Sequence, residues 1–136
     1  PYSRFQLKQY IEQTQNDLFA DRQLRLMIEN GNRQVVGIVD LCSFDPLHNR
    51  AEVGIMVDKS CRRRGIGRNA LALLEEHCFR YLGIHQLFAY IAVENLPSRR
   101  LFAACGYKES AVLKEWAHTF GGGYTDVLVV QKLNLS

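Results

Sequence analysis

Phe5, Leu7, Tyr10, Ile11, Thr14 and Leu18 recur at roughly helical spacing up to Phe19, and Ser3 followed by Gln6 has capping-box spacing, so a first helix is expected here. The period then changes. Leu24, Leu26 and Ile28 alternate with Arg25 and Met27, Gly31-Asn32 supplies turn chemistry, and an apolar run follows from Val35 to Cys42. These read as a two-strand hairpin. After a loop from Phe44 to Asn49, broken by Asp45-Pro46, the β-branched-rich stretch Ala51 to Val57 reads as a third antiparallel strand.

Ile66, Ala70, Leu73, Leu74, His77 and Tyr81 keep one helical face apolar until Gly83 stops it. His85 to Val93 is a strand. Asn95 and Pro97 open a short helix that runs through Ala104 and ends at Cys105-Gly106. Val112 to His118 and Tyr124 to Leu133 flank the triplet Gly121 to Gly123 and pair as a hairpin. The order α-β-β-β-α-β-α-β-β predicts an α/β (α+β) domain built on a mixed sheet. No linker, repeat or low-complexity stretch divides it.

Composition narrows the class. At 136 residues, 47% hydrophobic and 23% charged, the chain suits one compact domain and excludes disordered and fibrous classes. No apolar run has membrane-spanning length, and Pro1-Tyr2-Ser3-Arg4 lacks the regions of a signal peptide, so a soluble, untargeted protein is expected. The formal charge of +3 is too small for bulk nucleic-acid binding. Cys42, Cys61, Cys78 and Cys105 lie far apart with no CxxC pair, which indicates neither zinc nor a dithiol motif. Reduced thiols in a cytoplasmic protein are the expectation.

The charge matters where it clusters. Arg62-Arg63-Arg64-Gly65-Ile66-Gly67-Arg68 joins a strand to an amphipathic helix. Gly65 and Gly67 let the backbone turn tightly, and the unpaired N–H groups of the first helical turn point outward. Such a helix start favours a negative group by about 0.3 to 2 kcal/mol, and the arginines add contacts suited to a diphosphate. No Walker motif is present, and the dinucleotide fingerprint is incomplete because Ala70 follows Gly65-Ile66-Gly67 where a glycine belongs. Taken alone, the loop is equally a solvated basic turn.

Two segments in order carry more weight. Arg62 to Gly67, as Arg-x-x-Gly-x-Gly, resembles the acyl-CoA pyrophosphate loop of the GNAT-type N-acetyltransferase superfamily. Asn95-Leu96-Pro97-Ser98-Arg99-Arg100-Leu101-Phe102-Ala103-Ala104-Cys105-Gly106-Tyr107 resembles its Asn-x-x-Ser-x-x-Leu-Tyr/Phe-x-x-x-Gly-Phe/Tyr segment. The resemblance spans about residues 22 to 133. Within the superfamily it is nearest the bacterial branch of ribosomal-protein and spermidine acetyltransferases.

The resemblance implies a mostly antiparallel mixed sheet, flanked by helices, with a splayed central strand pair. It implies a single acyl-CoA N-acyltransferase domain over 1–136, lacking its first strand and part of its acceptor wall. Acetyl-CoA is the implied co-substrate, with no metal. Ile55, Met56 and Val57 would offer backbone groups to the pantetheine arm; Arg62, Arg63, Arg64, Gly65, Ile66, Gly67 and Arg68 would hold the pyrophosphate. Asn95, Ser98, Arg99 and Phe102 would complete the cofactor contacts, although Asn95 is equally an ordinary helix cap.

The implied reaction is transfer of an acetyl group to a primary amine by direct attack in a ternary complex. An amine of pKa near 10.4 is mostly charged at pH 7, a population cost of about 4 to 5 kcal/mol, so a proton acceptor is useful. Glu52 is the best candidate, against the alternative of a surface carboxylate paired with Arg50 or a cationic substrate. Phe102 stands where many relatives carry a tyrosine that protonates the leaving thiolate, which excludes that role here. Tyr107, Tyr90, water or direct thiolate release would replace it. His48 is a loop residue near the acceptor or in solvent, and Trp116 a lining or core residue. The acceptor is a small-molecule amine or a protein N-terminus, with neither nucleic acid nor membrane as partner and a homodimer through the terminal strands. The rival class is a non-catalytic acyl-CoA-binding regulatory module, supported by Phe102 alone.

Overall fold

The computed structural model describes residues 6–9, 18–62 and 65–135. Its strands are β1 (Gln6–Gln9), β2 (Leu24–Glu29), β3 (Val35–Asp45), β4 (Arg50–Val57), β5 (Gln86–Ala92), β6 (Lys108–His118) and β7 (Tyr124–Leu133). Helices are α1 (Leu18–Asp21), α2 (Ile66–Glu76) and α3 (Leu96–Ala104). All seven strands join in one sheet of order β1-β2-β3-β4-β5-β7-β6. Every neighbouring pair is antiparallel except β4–β5, whose parallel arrangement needs the crossover that α2 provides.

The N-terminal expectation is corrected. Gln6–Gln9 is a strand, paired from Gln6↔Glu29 to Gln9↔Leu26, where a helix was expected from Ser3 to Phe19 and a first strand was expected to be missing. Among the described residues of that stretch Leu18 and Phe19 are helical; residues 1–5 and 10–17 lie outside the described residues. The physical reason is tertiary. Leu7 packs against both clusters of buried residues, the smaller of which contains its cross-strand partner Ile28, and pairing with β2 outweighs a spacing that four residues cannot distinguish from alternation.

Register and pleat sort the side chains onto two faces. On one, Leu26, Val39, Leu41, Val53, Leu87, Ala89 and Val130 meet Leu71, Leu74 and Cys78 of the α2 segment and Phe102 of α3 in the main core. Fully burying one such leucine contributes roughly 1.5 to 3 kcal/mol. The buried stripe of α2 is Ile66, Ala70, Leu71 and Leu74, continuing to Cys78 in a π turn (His77–Tyr81). That corrects the expected stripe: Leu73, His77 and Tyr81 are exposed, because the i, i+4 series 66, 70, 74, 78 fixes the rotation of the helix. Gly83, at φ +65°, ends the segment as expected.

Trp116 is 62% exposed on the outer strand β6, so it is not a core residue, and β7 separates it from β5. No described helix is long and apolar enough to cross a membrane.

Candidate active site

Strands β4 and β5 run together for three pairs, Arg50↔Gln86, Ala51↔Leu87 and Glu52↔Phe88, and then part. Beyond that point β4 continues to Val57 bonded to β3, while β5 continues to Ala92 bonded to β7. Backbone groups of Val53–Val57 and Ala89–Ala92 that point into the gap therefore have no strand partner. Glu52 sits at the vertex, on the last joined pair. Ile55 and Val57 are half-buried on the free part of β4, and Met56 between them is 70% exposed on the opposite face.

The loop leaving this edge is ordered by short contacts. Asp58 accepts from Ser60 N at 3.3 Å and caps a 3-10 turn at Lys59–Cys61; Arg62 Nε then donates to the Val57 carbonyl at 3.3 Å. Gly65 precedes α2 at φ +75°, ψ 9°, a left-handed conformation, and among the described residues no side chain caps the helix. The first-turn amides are thus open to an anion next to Arg62 and Arg68, both exposed. Arg63 and Arg64 lie outside the described residues. Gly67 allows close packing, since a Cβ there would meet Leu101 Cδ2 at 3.1 Å and Ile55 Cδ1 at 3.8 Å. Buried Ile66 anchors the turn.

Across the gap, Asn95 caps α3 by accepting from Ser98 N at 3.3 Å. Arg99 donates to the Val93 carbonyl at 3.0 Å and to Glu109 at 3.2 and 3.4 Å, which ties the α3 start to the end of β5 and to β6. Phe102 is 3% exposed, edge-on to Tyr107 at 4.8 Å between centroids, so its ring serves the core.

Glu52 projects to the other face. There Ser43 Oγ donates to Glu52 Oε1 at 3.4 Å, and Cys42 is its direct cross-strand partner. Burial pushes the Cys42 thiol up to about 11, with the Glu52 charge and hydrogen bond, and then Asp40, adding to the effect. Asp40 is held by Arg25 through two bonds of 2.8 and 2.9 Å. Arg50 instead approaches Asp45 at 3.7 Å, so the alternative of a Glu52–Arg50 pair is not realised. Phe88 lies opposite Glu52 in register, and Tyr90 meets it edge-on at 5.8 Å, just past the parting of the strands. A cavity of ≈ 260 Å³ lined by Gln23, Leu24, Arg25, Asp40, Leu41 and Cys42 adjoins this face. His48 is exposed in the Asp45–Asn49 turn, its N–H bonded to Asp45 at 3.0 Å.

A parallel strand pair that separates beside an uncapped, glycine-led helix is the arrangement that the two sequence segments imply. Residues 1–108 match the acetyltransferase (GNAT) domain family. The chain belongs to the GNAT acetyltransferase family. A spermidine N(1)-acetyltransferase from Vibrio cholerae is 27% identical over 128 residues, 93% of this chain and 72% of that protein. An N-acetyltransferase 9-like protein from Nematostella vectensis is 36% identical over 96 residues, so the match spans 48% of its length. Among solved structures, the spermidine N-acetyltransferase of Vibrio cholerae in a dodecameric, intermediate state superposes with a TM-score of 0.79 at 25% identity, covering 86% of this chain and 68% of that one.

In this GNAT domain two expected proton donors differ sharply. Tyr107 is buried beneath the helices, where desolvation and the Glu75 charge raise its pKa far above the ordinary phenol value. Tyr90 is 45% exposed on the face of Glu52. Sequence reasoning passed over Ser43 and Cys42 as neighbours of Glu52. The signal was a phase break: Leu41 and Phe44 are both apolar and three apart, which a two-residue period cannot place on one face without a bulge.

Proposed function

We propose that this GNAT domain binds acetyl-CoA in the β4–β5 gap and transfers its acetyl group to a primary amine by direct attack in a ternary complex. The observation that carries the reading is the abrupt end of β4–β5 pairing at Glu52, which leaves a polar backbone edge of the kind an extended amide-bearing arm can join. Gly65, Ile66, Gly67 and Arg68, with Arg62, Arg63 and Arg64, take the diphosphate. Ile55, Met56 and Val57 take the pantetheine, and Asn95, Ser98 and Arg99 face it from α3. Phe102 contributes packing from behind.

Glu52 accepts the proton of the attacking amine, directly or through water, offsetting a population cost of about 4 to 5 kcal/mol. A free N–H of β4 stabilises the tetrahedral oxyanion, an effect worth roughly 3 to 4 kcal/mol in other acyl-transfer sites. Tyr90 gives a proton to the departing thiolate. Direct attack is favoured over an acetyl-cysteine route because burial raises the thiol of Cys105, the candidate for that route, and pushes that of Cys42, the cross-strand partner of Glu52, up to about 11. Only about one part in ten thousand of Cys42 is then thiolate at pH 7.

The spermidine-acetylating relatives make a polyamine the first acceptor to test. The same reading includes a cytoplasmic setting, consistent with four free cysteines, and self-association through the outer strand β6, where Val112 and Trp116 are exposed. Initial velocities with both substrates varied decide the mechanism: intersecting lines support a ternary complex, and parallel lines refute it. The rival reading, acyl-CoA binding without turnover, rests on the missing hydroxyl at Phe102.

A further inference from the structure

Between Cys42↔Glu52 and Asp45↔Arg50 the ladder of β3 and β4 slips: Ser43 and Phe44 on β3 face Ala51 alone on β4. This is a β-bulge, and it has two consequences. Phe44 turns into the core, packs edge-on to Phe19 at 5.2 Å, and donates its N–H to Arg22 O at 3.0 Å. Ser43 is left exposed beside Cys42, with its hydroxyl 3.4 Å from Glu52 Oε1.

The bulge is strained. Ser43 has φ +52°, a conformation in which glycine is at ease and a side chain is not. Among the five described non-glycine residues with left-handed φ, Ser43 and Glu115 sit at bulges; Glu115 lies on the outer strand β6. A serine in a position suited to glycine, with its hydroxyl on the carboxylate at the vertex of the gap, has a chemical use. It holds Oε1 of the carboxylate, whose other neighbour on this face is the Cys42 thiol, in a fixed orientation toward the gap.

We propose that Ser43 is a positioning residue for Glu52, set by the bulge to orient the carboxylate through Oε1. The inference rests on the reading of Glu52 as proton acceptor. Hydrogen bonds at reacting groups are commonly long before substrate is bound.

The test compares Ser43→Gly, Ser43→Ala, Ser43→Asn and Glu52→Gln in the full chain, reading thermal stability, kcat with acetyl-CoA and an amine, and KM for acetyl-CoA. Glycine relieves the strain and alanine keeps it, so the melting temperature rises in one and falls in the other. Both lose kcat by about 3- to 10-fold, the size of one hydrogen bond, while KM for acetyl-CoA is unchanged. Asparagine tolerates left-handed φ and can still donate, and it stays within about twofold of wild type. A Ser43→Gly enzyme that is more stable, with kcat unchanged while Glu52→Gln is impaired, overturns the role of Ser43. A fully active Glu52→Gln enzyme overturns the reading beneath it as well.

Discussion

Gly37 sets how closely β3 approaches the free part of β4, and Gly37→Ala probes that packing. Gly37 pairs with Val57, and a Cβ placed on it would lie 2.6 Å from the Met56 carbonyl oxygen, 3.0 Å from Ile28 Cδ1 and 3.2 Å from Val57 Cα. Its φ lies outside the left-handed region, so alanine meets no torsional objection and the whole cost is contact. Two of the three atoms are backbone. The Met56 oxygen must retreat from 2.6 Å to beyond 3.0 Å, and it can do so only by moving β4. Overpacking of this kind costs about 1 to 3 kcal/mol. For a chain of this size that lowers the melting temperature by about 3 to 10 °C. Because the displaced residues edge the gap, the stabilisation by saturating acetyl-CoA also shrinks. Thermal melts with and without acetyl-CoA measure both, with Gly31→Ala as control, since nothing lies within 4 Å of a Cβ at Gly31. A Gly37→Ala protein with wild-type melting and an undiminished acetyl-CoA shift would refute the reasoning.

Three further outcomes follow from the same geometry. Gly65→Ala costs about 1 to 2 kcal/mol in a denaturant melt, a torsional cost at φ +75°, since among the described residues nothing beyond its chain neighbours lies within 4 Å of an added Cβ, and Gly65→Asn costs less. Glu52→Gln speeds alkylation of Cys42 by iodoacetamide at mildly alkaline pH: the Glu52 charge and hydrogen bond raise the thiol pKa, so their removal increases the thiolate fraction at a given pH, and an unchanged rate would separate the two groups. Lys132→Met costs roughly 2 to 4 kcal/mol of unfolding free energy, because Lys132 Nζ bonds the buried Glu75 at 2.6 Å and the Cys105 carbonyl at 2.7 Å. Adding Glu75→Leu recovers much of that loss, since the stranded charge is removed with its partner.

Much of this was legible in the residues. Turn chemistry at Gly31-Asn32, the stop at Gly83, the Asn95 cap and Gly65 before α2 each fix a local backbone state, so those element boundaries follow from short-range chemistry. The misread parts depend on distant partners. Gln6–Gln9 becomes a strand only because Leu7 reaches Ile28, and α2 chooses Leu71 over Leu73 only because a sheet lies on one side of it. The Glu52 to Val57 segment carries no local mark of its separation from β5. That is a property of two strands, and its position became expected through the paired sequence segments. Ser43 was hidden for a different reason: a bulge is visible as a break in alternation, but which side chain it aims at is a matter of register.

The central claim is tested most directly by mixing the full chain with acetyl-CoA and spermidine, then with other primary amines, and following release of the CoA thiol. The account predicts amine-dependent release that Glu52→Gln slows. Stabilisation by acetyl-CoA with no thiol release for any primary amine would contradict it and leave a domain that binds the cofactor without using it.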